Sequence, residues 1–450
     1  MVRSNRATRN RFERIAHLLL ATALIAPSAS SERSAENLSV PDRAVEQLRA
    51  LRGEEPPTKH EVEDLLVEGA DECVDLCLEL LLTEKIPALT EDAPQRLSIQ
   101  QETILLGALE RMPRELVRQA ADRDLLGATD ERARVVACRV YGRAGSASDV
   151  DLLFTLSCDE GAEDTTAALR AGFRDGLKHL VTQPDAAVAI ERKWPTAPDA
   201  LRESTLLALG DSRDARALPL LRDVITWSDE WALLAIAQVR LIGASLDTQL
   251  NASLADSLAD RLDDSETRIR EAACFALGEL RDEDHVEELI GLLDGADAVV
   301  RGAAHKSLIR IAGTQLPPNT RVWRVWFERE RAAVDEMLNK LTDRLLTGPP
   351  TPVLEQLRDS TRFALGRHEL AAALLPALDH ENEEVRLTAC KALRQLGSPV
   401  AIDALVYALG DHADEVRRAA LGALFTITGV EGLETPDEWR DYLDDRSELY

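Results

Sequence analysis

Aromatic residues are scarce: Phe, Tyr and Trp together make up 4% of the chain. Sandwich and barrel cores draw on aromatic and β-branched side chains. Their scarcity, with abundant Ala and Leu, points instead to thin packing between helices. Basic residues are also short, with 53 Lys+Arg against 80 Asp+Glu and a formal charge of −27. So acidic a surface repels phosphate backbones, which argues against nucleic acid and anionic lipid as main partners. No stretch reaches the roughly 20 apolar residues needed to cross a bilayer as a helix. HExxH, CxxC, P-loop, Gly-rich dinucleotide and EF-hand patterns are absent. Ser, His and Asp are scattered without a spacing that pairs them, so no catalytic residue, cofactor or metal is expected.

The six cysteines do not read as a disulfide framework. Cys138, Cys274 and Cys390 each follow an arginine (Arg134, Arg270, Arg386) by four residues, in a slot that holds His305 and Leu421 elsewhere. That slot lies on the packed side of a helix, where Cys behaves as a small hydrophobe. Cys73 and Cys77 are four apart on one predicted helix, a geometry that disfavours a mutual bridge. Mostly free, buried thiols are expected.

Residues 1–30 have the form of a secretory signal peptide. Arg3, Arg6, Arg9, Arg11 and Arg14 precede an apolar core from Ile15 to Ala26, and small residues follow at Ser28, Ala29 and Ser30. The core is about half the length of a membrane span. Cleavage and export to the periplasm or beyond are expected. Five arginines against Glu13 are lost with this segment, leaving the mature chain at −31.

What the sequence does contain is a repeat. Leu262 and Leu293 are 31 residues apart, as are Arg270 and Arg301, Ala273 and Ala304, and Leu277 and Leu308. Leu378 and Leu409, Arg386 and Arg417, and Ala389 and Ala420 repeat that step, displaced from the first set by 116 residues. The displacement continues beyond the repeats: Trp323, Arg324, Trp326 and Phe327 correspond to Trp439, Arg440, Tyr442 and Leu443. A block of two repeats plus a Trp-bearing helix therefore occurs twice. A fixed period with a fixed internal pattern marks a repeat architecture.

Each unit predicts a helical hairpin. Its first helix opens on an acidic residue (Asp264, Asp297, Glu383, Asp414) suited to the positive end of the helix dipole. Apolar residues then recur at spacings of three and four, and a second helix such as that in 401–409 returns antiparallel. In 199–225, Gly210 is expected to close the first helix and Asp214 to open the second. A lone hairpin buries too little to stand, so neighbours must stack. The Trp helices are expected to fold over the exposed apolar ends of their blocks, with Trp323, Trp326, Trp439 and Tyr442 as capping aromatics. Thr435 and Asn319 would be their N-caps. An aromatic binding patch is the alternative. An internal cap would interrupt the stack, so a bend or break is expected near 320–346.

The motif D-x-x-x-x-V-R-x-x-A-x-x-A-L, carried best by Asp379 to Arg386 and Asp411 to Arg417, resembles HEAT repeats of the short bacterial class. The resemblance is strong over 262–313 and 378–429, fair over 126–225 and weak before 126. It implies an all-α fold, an α-solenoid of about nine to eleven antiparallel hairpins. It also implies that turn Asp and helix Arg of adjacent units form a ladder, here through Arg134, Arg270, Arg301, Arg386 and Arg417, with Asp164 breaking the pattern. The organisation read from the chain is signal peptide 1–30, polar linker 31–60 with a short helix near 42–51, divergent repeats 61–260, a first block 261–346, a linker 347–352 and a second block 353–450.

The function expected from this class is a non-enzymatic scaffold that binds a protein or peptide, basic in character, along its concave face. Glu287, Glu288, Asp403 and Tyr407 are the candidate contact residues. The rival readings are an enzyme or accessory factor built on the same frame, and a structural module of a cell-envelope assembly. Proteins resembling deoxyhypusine hydroxylase hold iron with repeated His-Glu pairs. Here His60-Glu61, His368-Glu369 and His380-Glu381 fall at no equivalent repeat position. Nothing marks the chain as a phycobilin lyase, and a DNA glycosylase of this type would need a basic face.

Overall fold

Many of the helices begin where a short polar side chain accepts the free N–H groups of a first turn. Thr58 and Ser98 do so in full capping boxes with Glu61 and Gln101. Asp130, Asp247, Asp297, Asn319 and Asn382 accept the same kind of bond. The computed structural model describes residues 38–53, 56–87, 94–158, 165–341 and 348–447. The expected signal peptide and Asp164 lie outside them.

The described chain is all-α but for one two-residue ladder, β1 (Lys85–Ile86) with β2 (Gln95–Arg96), which closes the loop framed by Pro87 and Pro94. An N-terminal helix, α1 (Val40–Ala50), precedes eleven successive helix pairs. These are α2 (Lys59–Glu68) with α3 (Ala70–Thr83), α4 (Ile99–Arg111) with α5 (Arg114–Asp124), and α6 (Glu131–Ala144) with α7 (Val150–Ser157). Next come α8 (Ala167–Leu180) with α9 (Ala186–Lys193), α10 (Asp199–Ser212) with α11 (Leu218–Trp227), and α12 (Asp229–Ile242) with α13 (Thr248–Ala259). Then α14 (Thr267–Leu280) pairs with α15 (Val286–Leu292), and α16 (Ala298–Ala312) with α17 (Thr320–Lys340). The last are α18 (Pro350–Asp359) with α19 (Arg367–Leu374), α20 (Glu383–Leu396) with α21 (Ile402–Ala408), and α22 (Asp414–Thr428) with α23 (Pro436–Ser447). The fold is an α-solenoid of HEAT-like hairpins.

First helices pack on first helices and second helices on second helices, giving two layers over one continuous core. Small residues let the first layer close up. A Cβ on Gly142 would overlap the backbone of Gly176, and one on Gly176 would overlap the Cys138 carbonyl, so α6 and α8 touch through glycine. Between α14 and α16 the same role falls to Gly278 and Ser307, whose hydroxyl donates to the Cys274 carbonyl at 2.7 Å.

Several expectations need correction. The short helix expected near 42–51 is α1, but it is not part of a free linker: it buries Ala44, Val45 and Leu48 in the core, and Gln101 donates to the Leu48 carbonyl at 2.6 Å. Gly210 does not close α10; the helix ends two residues later, at Ser212, with Arg213 left-handed, and Gly210 instead makes room for Gln238 of α12. Of the four acidic helix openers, Asp297 is the N-cap, while Glu383 and Asp414 are first-turn residues and Asp264 accepts from the turn N–H of Glu266. Part of the expected linker 347–352 is helical, since α18 starts at Pro350.

The largest correction concerns the first Trp helix. It covers α15 at the end of its block but does not end the stack there. In the first layer, close packing runs from α2 to α16 and again from α18 to α22. Across the gap, α17 packs on α15 on one side and on α19 on the other. The break expected near 320–346 is therefore bridged by the Trp helix, acting as the second helix of the unit that α16 begins. Val334 and Met337 are buried at this joint, and Val334 fills the space beside Gly366. The Glu330 carboxylate accepts from the Ala364 N–H, and Glu283 from the Gly366 N–H, both at 2.7 Å.

Gly176→Ala should lower stability by about 1–3 kcal/mol, because backbone must shift to admit one methyl. Gly291→Ala, at a helical position with open space around it, should be neutral or stabilising by up to about 1 kcal/mol. Urea and thermal unfolding check both; a Gly176→Ala midpoint equal to wild type contradicts the close approach.

Candidate functional site

The repeat arginines share one geometry. Each Nη1 donates to the backbone carbonyl six residues earlier: Arg270 to Asp264 (2.7 Å), Arg301 to Gly295 (2.7 Å), Arg386 to His380 (2.8 Å) and Arg417 to Asp411 (2.6 Å). The bond ties the first helix to the turn that enters it and satisfies a carbonyl the helix cannot. Two of the arginines also reach the next unit. Arg270 meets the Asp297 carboxylate at 3.0 Å, and Arg386 grips Asp411 with two bonds of 2.7 and 3.0 Å. The Arg386 bond holds the Asp411 carboxyl below its ordinary range. Arg301 and Arg417 begin the units completed by the Trp helices, and neither makes that second reach. Arg134 donates instead to the Leu156 carbonyl at the end of α7, at 2.6 Å.

A second ladder, absent from the sequence reading, crosses the first layer. Arg111 meets Asp64 (2.6 Å), Arg139 meets Glu102 (2.8 Å), Arg143 meets Asp175 (2.9 Å) and Arg174 meets Asp211 (2.6 Å). Farther on, Glu279 receives Arg240 (3.1 Å) and Arg310 (2.9 Å). Burial alone would raise the Asp175 carboxyl; the Arg143 charge and hydrogen bond, with Lys178, outweigh it and hold the group at about 2.

The second-helix face carries the candidate contact residues. Glu287, Glu288, Asp403 and Tyr407 are all exposed, Tyr407 to 73%. Glu287 is engaged by Arg324 of α17 at 3.3 Å. Trp323 and Trp439 are fully buried, each edge-on to a neighbour, Trp326 at 5.9 Å and Tyr442 at 5.8 Å. Their rings are core, so neither presents a binding surface. Trp326 is half-buried and lines an open recess on α17. The helix starts follow from the expected caps: Asn319 accepts from Val322 N–H, and Thr435 and Glu438 exchange capping-box bonds.

Cys73, Cys77, Cys138, Cys274 and Cys390 are free thiols, and all five are buried. Burial pushes the Cys73 and Cys138 thiols up to about 11 and those of Cys274 and Cys390 up to about 12. They stay protonated at neutral pH and are poor nucleophiles. The His-Glu histidines are held by protein groups: His380 by the Gly348 carbonyl at 2.8 Å and His368 by Ser398 at 2.8 Å, while His60 lies outside at the start of α2. Among the described residues, no three His, Cys, Asp or Glu side chains converge into a metal-sized cluster. No described helix is long and apolar enough to cross a membrane.

Comparison with known proteins bears on the repeats directly. The family model for HEAT repeats matches residues 253–318 and 338–425. The gap between the two matches holds most of α17. No curated protein matches the chain. Among solved structures, the chain is similar to an engineered protein, with 16% identity over 88% of this chain and 96% of that one, at a TM-score of 0.28. It is similar to a mutant of Kap121p, with 12% identity over 91% of this chain and 46% of that one, at 0.35. It is also similar to human deoxyhypusine hydroxylase in complex with glycerol, with 19% identity over 63% and 97%, at 0.25. At such scores none of these likenesses bears on activity. The chain carries HEAT repeats, in a fold class that typically mediates protein interactions.

Arg386→Ala should cost about 1.5–3 kcal/mol, because it removes two charged bonds from the Asp411 carboxylate and leaves it only the hydrogen bond from the Ala413 N–H. Arg301→Ala removes only turn bonds and should cost about 1 kcal/mol. Equal losses in denaturant unfolding would contradict the two geometries. The Asp175 contribution is full above its ordinary 3.8 and is lost as pH falls toward about 2. Arg143→Met should therefore flatten the acid limb of a stability–pH curve over that window; an unchanged limb would show that the pair is not coupled to folding.

Proposed function

We propose that the chain is a non-enzymatic, exported scaffold that binds a basic protein or peptide through the outward face of its second helices. The observation that carries this reading is the row of exposed side chains on α15 and α21, Glu287, Glu288, Asp403 and Tyr407, on a chain of charge −27. Acidic side chains beside a single exposed aromatic suit a partner that brings Lys or Arg together with an apolar anchor. The two ladders support this role by fixing the spacing of the units, so contacts made on successive second helices keep their relative positions. Export rests on the basic and apolar pattern of residues 1–30.

Affinity capture from the exported fraction tests both parts. A partner should be recovered at low salt, lost near 0.5 M salt where charges are screened, and lost with Glu287→Lys/Glu288→Lys/Asp403→Lys. No partner at low salt, or equal recovery by the triple variant, contradicts the binding face. The exported chain should begin shortly after Ser30 by N-terminal sequencing; an intact Met1 contradicts export.

A further inference from the structure

The two Trp helices share a core face and differ in their outer one. In the register displaced by 116 residues, the inward residues keep their kind: Trp323 with Trp439, Trp326 with Tyr442, Phe327 with Leu443. The exposed residues do so only in part: Arg324 and Glu328 match Arg440 and Asp444, but Arg321, Val322 and Val325 fall opposite Asp437, Glu438 and Asp441. Arg329 corresponds to Asp445 in the sequence. The same packing role thus carries a basic and aliphatic surface in α17 and an acidic one in the sequence of α23. Val322 and Val325 are 38% and 47% exposed. Arg321 and Arg329 have no acidic partner among the described residues. An open recess of about 620 Å³ follows this face, lined by Val322, Val325, Trp326 and Ala333 with Arg321, Arg329 and Glu330, whose carboxylate already accepts from the Ala364 N–H. A second, of about 460 Å³, adjoins it through Arg321 and Val325 and is bordered by Asp294 and Glu328.

We infer that the outward face of α17 docks an acidic segment with interspersed aliphatic side chains, supplied by another protein. Carboxylates would meet Arg321 and Arg329, and aliphatic groups would cover Val322, Val325 and the exposed edge of Trp326. Other occupants fit less well. The chain's own residues 1–30 carry five arginines against one glutamate and would be repelled. The α23 of a second copy offers carboxylates but no aliphatic group at the corresponding outward positions, leaving both valines uncovered. A nucleic acid brings no aliphatic side chain to cover Val322 and Val325. The inference rests on the scaffold reading and adds to it a site of opposite charge, bordering the acidic face at the Glu287–Arg324 pair.

The test uses the full chain and fluorescein-labelled helical peptides, read by fluorescence anisotropy. A Glu/Leu peptide with Leu four residues apart is compared with its Lys/Leu and Glu/Ser counterparts and with a short oligothymidine. Only the Glu/Leu peptide should bind, and Arg321→Glu/Arg329→Glu should weaken it roughly tenfold. Val325→Ser should weaken it too, without loss of helical circular dichroism. Equal binding of the Glu/Ser peptide, tighter binding of the Lys/Leu peptide or the oligonucleotide, or unchanged affinity in the double variant overturns the inference. Self-association of the protein that disappears in the double variant also overturns it, assigning the face to a second copy. If the double variant still captures the basic partner while the Glu/Leu peptide fails to bind, this inference falls alone and the scaffold reading stands.

Discussion

A helical hairpin has apolar surface on both flanks, and its own two helices cover only part of it. Every unit must therefore be buried by its neighbours, and the rest of the architecture follows from that constraint. It explains why first helices approach through Gly142, Gly176, Gly278 and Ser307 rather than through large side chains. It explains why α1 lies over the first pair, since an uncovered end would expose Val62, Leu65 and Leu66, which the structure buries. It also explains why the joint between the duplicated blocks is packed rather than open. A stack without α17 at that point would leave the apolar flanks of α15 and α19 in water.

Neighbour burial sets how close units come, and polar contacts set how they are oriented. The repeat arginines fasten each first helix to its entry turn, and Arg270 and Arg386 carry the fastening across to the next unit. The first-layer ion pairs are partly exposed, and each is worth about 0.2–1 kcal/mol in isolation. Along a stack they act in parallel on the same degree of freedom, the rotation between neighbours. The second helices are bridged in the same way, as by Lys193 with Asp151 at 2.9 Å and Arg331 with Glu369 at 2.8 Å, so both layers share in setting the orientation.

Periodicity made the fold legible. Arg270, Arg301, Arg386 and Arg417 lie at one offset because they do one job within a unit, and a within-unit bond survives duplication unchanged. The first-layer pairs had no such signature. Their separations run from 31 residues for Arg310–Glu279 to 47 for Arg111–Asp64, since each spans a turn of different length. The role of α17 was hidden for a related reason. The longer connection through Pro317 and Pro318 displaces the helix from the repeat spacing, and its length of 21 residues exceeds that of any other second helix. Trp323 and Trp439 drew attention as aromatics in an aromatic-poor chain, yet both are core. The surface that distinguishes α17 from its copy is made of Arg321, Val322, Val325 and Arg329, residue types too common to be noticed without the register.

Continuity through α17 is the central claim, because it turns two repeat blocks into one frame with one second-helix face. Native-state hydrogen exchange resolved along this helix tests it most directly. If α17 is the packed bridge, amides in 330–340 are protected to the same order as those in α14 and α20. If the blocks are separate bodies joined by a free helix, amides in 330–340 exchange orders of magnitude faster than those two helices, and the continuous frame is wrong.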